Sequence, residues 1–145
     1  MEVFMNNIEK QGIIITWFNE FLTQHNFNIL DELITERFIL YSINSNIKKS
    51  NILDREKFEE PMAWYFHLIH TNEWAINSII AKENYIIVEY TVYLTYKEEW
   101  FNIPTRNQSI KETGIMIFYF SDSKITKLLW HVHDSVIAPS FQSVS

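Results

Sequence analysis

The residues best suited to chemistry lie in the last strand-like stretch of the chain. Leu128, Trp130, Val132 and Val136 alternate along it, and Asp134 falls in the same row. A period of two puts that carboxyl on the face turned toward the core. An ionised carboxylate there must find hydrogen-bond partners or take up a proton. A carboxyl with a raised pKa in an apolar pocket suits proton transfer near neutral pH. Asp134 is therefore the candidate general acid/base. The plainer alternative is that it ends the strand, capping a turn or pairing with a lysine in water. A base also needs a donor for the developing oxyanion, and Tyr41, Tyr90 and Tyr96 carry phenols that could serve. Each of these is equally readable as a core tyrosine with an ordinary partner. The opposite row of the same stretch holds His131 and His133, while His67 and His70 sit one helical turn apart. Imidazole pairs can ligate zinc or iron. No carboxylate motif accompanies these, so no metal is expected. Asp134 and the His131/His133 pair cannot all point inward unless a bulge intervenes.

The elements that must hold these residues follow from hydrophobic periodicity. From Ile8 to about Gln24, Ile14, Trp17, Phe18, Phe21 and Leu22 make the stripe of an amphipathic helix. His25-Asn26 breaks it, and a short helix follows with Asn28 as its cap. Phe38–Ile43 reads as a strand and residues 44–51 as a polar loop. Asp54 caps a brief turn, and Pro61 fits the first turn of a helix running to about His70 with Met62, Tyr65, Phe66 and Ile69 facing in. The period then changes to two, giving strands at Trp74–Ala81, Tyr85–Glu98, Ser109–Phe120 and Lys124–Val136. Short turns at Glu83-Asn84 and Asp122-Ser123 make antiparallel neighbours of them. Along the stretch from Tyr85, the residues Ile86, Val88, Tyr90, Val92, Leu94 and Tyr96 share one face. A slip of one residue would bury the polar set instead. Helices first and strands afterwards is the α+β pattern, with a curved, mostly antiparallel sheet whose concavity is covered by the helices. The concavity is the natural place for an apolar pocket.

Composition narrows the function classes. The 145 residues fit one domain, 1–145, with 47% hydrophobic and 16% aromatic residues for its core. Two glycines, Gly12 and Gly114, rule out a Walker or dinucleotide fingerprint. A formal charge of −6 argues against nucleic-acid binding, which draws on a basic surface. With no cysteines there are no disulfides, thiolate nucleophiles or cysteine-held zinc. Met1-Glu2-Val3-Phe4 does not begin like a signal peptide, and no apolar run reaches the roughly 20 residues of a membrane span, so a cytoplasmic location is expected.

Phe118-Tyr119-Phe120-Ser121-Asp122-Ser123-Lys124-Ile125, followed by Trp130-His131-Val132-His133-Asp134, resembles an aromatic strand, a "D-G-K-I" turn and a closing tryptophan-rich strand ending in aspartate. Ile103-Pro104-Thr105 looks like the loop before the fourth strand. These residues and the element order resemble the SnoaL-like polyketide cyclases, of the nuclear-transport-factor-2-like fold, from about Ile14 to Ile137. The resemblance implies a cone-shaped α+β barrel with an apolar pocket, often dimeric through the outer sheet face. In the cyclases the closing-strand aspartate, matching Asp134, is a general acid/base in an aldol closure. Ser123 stands where glycine is usual. The Arg–Asp pair of the family's epoxide hydrolases has no match, since Tyr90, Val92, Leu94 and Tyr96 line that face, so epoxide hydrolysis is disfavoured.

Two functions follow as expectations. The first is a cofactor-independent lyase, isomerase or cyclase that uses Asp134 on an apolar small molecule held by Trp17, Phe21, Tyr41, Tyr65, Phe66, Tyr90, Tyr96 and Trp130. The second is a non-catalytic ligand-binding or dimerisation module, with a homodimer formed through outward aromatics such as Tyr93 and Tyr119. An open pocket with Asp134 at its base favours the first. A pocket plugged by tryptophan and phenylalanine would sink it.

Overall fold

The computed structural model describes residues 7–45, 49–97 and 109–137. The first amphipathic stripe forms helix α1 (Asn7–Thr16), which widens without a break into a π-helical segment, Trp17–Thr23. Trp17, Phe18, Phe21 and Leu22 of this segment all face the core. His25 ends the segment with a positive φ of 59°. The cap of the next turn is Asn26 rather than Asn28: its side chain accepts from the Asn28 N–H at 3.1 Å. A 3₁₀ turn (Phe27–Ile29) and α2 (Leu30–Leu33) follow, then strand β1 (Ile34–Asn44).

Two elements differ from expectation. Part of the polar stretch after β1 is a strand, β2 (Lys49–Asp54), paired antiparallel with β1. It is a largely exposed edge strand, so it lacks the apolar alternation that marks a half-buried one. Helix α3 (Arg55–Leu68) is continuous, capped by Asp54, which accepts from the Lys57 N–H at 2.9 Å. Pro61 therefore lies inside the helix rather than in its first turn.

Strands β3 (Ile69–Ala81), β4 (Tyr85–Tyr96), β5 (Ile110–Ser121) and β6 (Lys124–Ile137) complete a six-stranded sheet in the order β2-β1-β6-β5-β4-β3. Only the β1–β6 pair is parallel. The sheet is curved but open, with β2 and β3 as its edges, so the closed barrel implied by the resemblance is not formed. The β5–β6 turn has Asp122 and Ser123 at φ 51° and 68°, the mirror-image hairpin geometry that glycine ordinarily fills. Ile103-Pro104-Thr105 lies outside the described residues.

The helices cover the concave face. Trp17 stands at the centre of an aromatic cluster, with ring centroids 4.8 Å from Phe21, 6.2 Å from Phe58 and Phe118, and 6.4 Å from Phe38. All five side chains are fully buried, each contributing roughly 1.5–3 kcal/mol by leaving water. Lys10 is buried on α1 and donates from Nζ to the Glu83 carbonyl at 2.9 Å, tying the helix to the β3–β4 turn. No helix among the described residues is long and apolar enough to cross a membrane.

Candidate active site

The aromatic cluster is fully buried under the helices, so Trp17 and Phe21, expected to line a pocket, are core residues. Burial loosens slightly toward the end where β4 finishes and β5 begins. Along β5 the inward row runs Phe118, Met116, Gly114, Glu112, and exposure rises from 0% at Phe118 to 9% at Glu112. The inward rows of β4 and β6 show the same gradient, toward Tyr96 and toward Trp130 and Val132.

Asp134 does not join this face. The β5–β6 register passes from Gly114↔Val132 to Thr113↔Asp134, leaving His133 as an extra residue in a β-bulge. The bulge resets the alternation: Asp134 is paired with outward-facing Thr113, and Ser135 now stands opposite Glu112. Asp134 is exposed, and its Oδ1 accepts from the Ser135 N–H at 3.0 Å. The inward burial expected from period-two counting is thus corrected. His133 is exposed too. His131, half-buried, meets it at 4.5 Å between ring centroids and shares a 2.7 Å hydrogen bond with the Ser45 hydroxyl. Tyr41 is likewise outside the cone, in register with Leu129 and beside Lys127, whose Nζ lies 5.8 Å from its ring. His67 and His70 are exposed. Among the described residues no three His, Asp or Glu side chains gather as a metal site would require. A hollow of about 390 Å³ lined by Ile43, Asn44, Ser45, Lys49 and Ser50 lies at the β1–β2 edge and holds none of the expected site residues.

The carboxyl that the fold does bury is Glu112. Tyr90 Oη donates to its Oε2 at 2.9 Å, and Trp130 Nε1 donates to the Tyr90 oxygen at 2.8 Å. An indole N–H can only donate, so it fixes the phenol as acceptor from Trp130 and donor to Glu112. Gly114 makes this reach possible. A Cβ there would lie 2.8 Å from Tyr90 Oη and 2.3 Å from the His131 carbonyl oxygen, so the phenol crosses β5 where a side chain is missing. Burial pushes the Glu112 carboxyl up to about 7 from its ordinary 4.5, while the Tyr90 hydrogen bond works in the opposite direction. Burial, and next the field of Glu112, raise the Tyr65, Tyr90 and Tyr96 phenols. Trp74 closes the group, with ring centroids 5.5 Å from Tyr90 and 6.0 Å from Trp130. Its Nε1 donates to Asn72 Oδ1, as does His25 Nε2, and the His25 ring stacks on Phe66 at 4.0 Å. Tyr65, Tyr90, Tyr96 and Trp130, all expected at the site, are thus gathered near Glu112 rather than Asp134, while Phe66 packs on Tyr65, Phe21 and His25. Glu112 was overlooked in sequence, although it stands in phase with Gly114, Met116 and Phe118.

The sequence profile of the SnoaL-like polyketide cyclases matches residues 12–138. The chain belongs to that family. Solved structures of similar shape agree on the SnoaL-like fold. AclR of Streptomyces galilaeus superposes with a TM-score of 0.73 at 13% identity, covering 88% of this chain and 77% of that one. A SnoaL-like polyketide cyclase from Agrobacterium tumefaciens gives 0.66 at 10% identity, over 90% and 94%. An LEH-like epoxide hydrolase of M. tuberculosis gives 0.65 at 13%, over 87% and 84%. At such identities the likeness is one of fold, and the activities in those names remain theirs. No curated protein matches the chain in sequence.

Proposed function

We propose that this SnoaL-like chain, as one domain over residues 1–145, is a cofactor-independent enzyme of the lyase, isomerase or cyclase kind, acting by proton transfer on an apolar small molecule. The observation that carries this reading is the Glu112 carboxyl, nine-tenths buried among rings and hydrogen-bonded to Tyr90. A carboxyl that titrates near neutrality can both take and return a proton at working pH. Tyr90, polarised by Trp130, supports the role of orienting it, and Tyr65 and Tyr96 offer further phenols near the same charge.

A reporter of buried bases tests this without knowledge of the natural substrate. 5-Nitrobenzisoxazole is flat and apolar, and it opens when a base removes its ring proton. Wild type is expected to accelerate the opening, with a rate that rises through pH 7. Glu112→Gln should lose about 10²-fold or more, the usual contribution of a positioned base, while Asp134→Asn keeps the rate. Equal rates for wild type and E112Q would refute the reading.

A second feature supports a homodimer built through the outer sheet face. Ile52, Tyr41, Leu129, Ile117, Ile87 and Ile80 stand in register as one apolar row across all six strands. Ile52 and Ile80 are 67% and 44% exposed. A continuous apolar row on an outward face is the kind of surface that a two-fold contact covers. Sedimentation should give a dimer for wild type and a monomer for Ile117→Lys. A monomeric wild type at micromolar concentration would dispose of this assembly.

A further inference from the structure

Tyr90 from β4 donates to the Glu112 carboxyl, the Tyr65 phenol from α3 and the Tyr96 phenol from β4 feel its charge, and the Trp130 indole from β6 reaches it through Tyr90. Among the described residues no lysine, arginine or histidine forms an ion pair with it; Arg55 pairs with Asp31 elsewhere. Buried carboxylates are ordinarily neutralised by a proton or matched by a cation. The surroundings here favour an organic cation. The Trp74, Tyr90 and Trp130 rings meet in pairs at 5.5, 6.0 and 6.4 Å, and aromatic faces attract ammonium groups. The formal charge of −6 favours the approach of a cation over that of an anion.

On the footing that Glu112 lies in a ligand site, we propose that the ligand is an apolar amine, whose ammonium supplies the positive charge that none of the described residues pairs with Glu112, with its body laid on the Trp74, Tyr90 and Trp130 rings. Below the midpoint of the carboxyl, an arriving ammonium displaces the Glu112 proton to solvent and leaves a carboxylate–ammonium pair; only the carboxyl O–H bond breaks. A ligand carrying a carboxylate or phosphate is rejected by the same group.

Calorimetric titration of the full chain with 2-naphthylmethylamine, 2-naphthylmethanol and 2-naphthoate tests this, at pH 6 and pH 8. At pH 8 wild type should bind the amine at least about tenfold more tightly than the alcohol, as a desolvated charge pair requires, and the naphthoate weakest of the three. Glu112→Gln should abolish the preference for amine over alcohol. At pH 6, heats measured in buffers of different ionisation enthalpy should show about one proton released per amine bound by wild type. Equal binding of amine and alcohol at pH 8, an amine preference that survives in E112Q, or no proton release at pH 6 would overturn the proposal. Alcohol binding without amine preference sinks this proposal and leaves the small-molecule reading standing. Binding of none of the three at millimolar concentration counts against both.

Discussion

Glu112→Gln is expected to make the protein more stable at pH 8, by about 3 kcal/mol, and to change its stability little at pH 5. The folded chain holds the Glu112 proton up to about pH 7, whereas an unfolded chain releases it near the ordinary 4.5. Between those values the native state binds more protons than the unfolded state, so stability falls as pH rises. The contribution is fully present below 4.5 and is gone above 7. Glutamine carries no charge to bury and can still accept from Tyr90. Urea unfolding of both proteins at pH 5, 6, 7 and 8 would trace the gap opening through that window. Parallel curves for the two proteins would show that no ionisation of a buried group separates them.

Gly114→Ala should have an effect of similar size and opposite sign, a loss of about 3–5 kcal/mol or a failure to fold. The added methyl would lie 2.3 Å from the His131 carbonyl oxygen, a backbone atom of the neighbouring strand that cannot rotate away. It would also lie 2.9 Å from the Tyr90 ring carbon Cε1 and displace the phenol that links Trp130 to Glu112. Strain across β5–β6 and a broken buried hydrogen-bond chain therefore add. Gly12→Ala is the matching control. Nothing lies within 4 Å of a Cβ at Gly12, which sits inside α1, so this variant should gain up to about 1 kcal/mol from helix propensity. Denaturant midpoints for the two alanine variants should move in opposite directions. A mild effect at Gly114 would mean that β5 and β6 stand further apart than described.

Much of this architecture is legible from periodicity, because burial on one side imposes it. The stripe from Ile14 to Leu22 and the rows of β4 are in place, and both expected hairpin turns join antiparallel strands. β2 escaped because a largely exposed edge strand has no buried face to write an alternation. Asp134 was misplaced for a different reason. Counting by two assumes an unbroken ladder, and the bulge at His133 adds a residue that no side-chain type announces. Glu112 was readable by the same counting, since it stands two residues before Gly114 in the row that ends at Phe118. What the residue types could not disclose is that the phenol of Tyr90 crosses Gly114 to meet it. That contact depends on strand register, which only the paired strands define.

The most direct test of a proton-carrying Glu112 is the titration of its side-chain carboxyl by ¹³C NMR in the unliganded protein, with the resonance assigned from its absence in E112Q. A midpoint near 7, with the Trp130 indole N–H resonance moving in the same pH range through Tyr90, is the predicted result. A midpoint at or below the ordinary 4.5 would contradict the account, since the carboxyl would then be a solvated or paired anion with no proton to give.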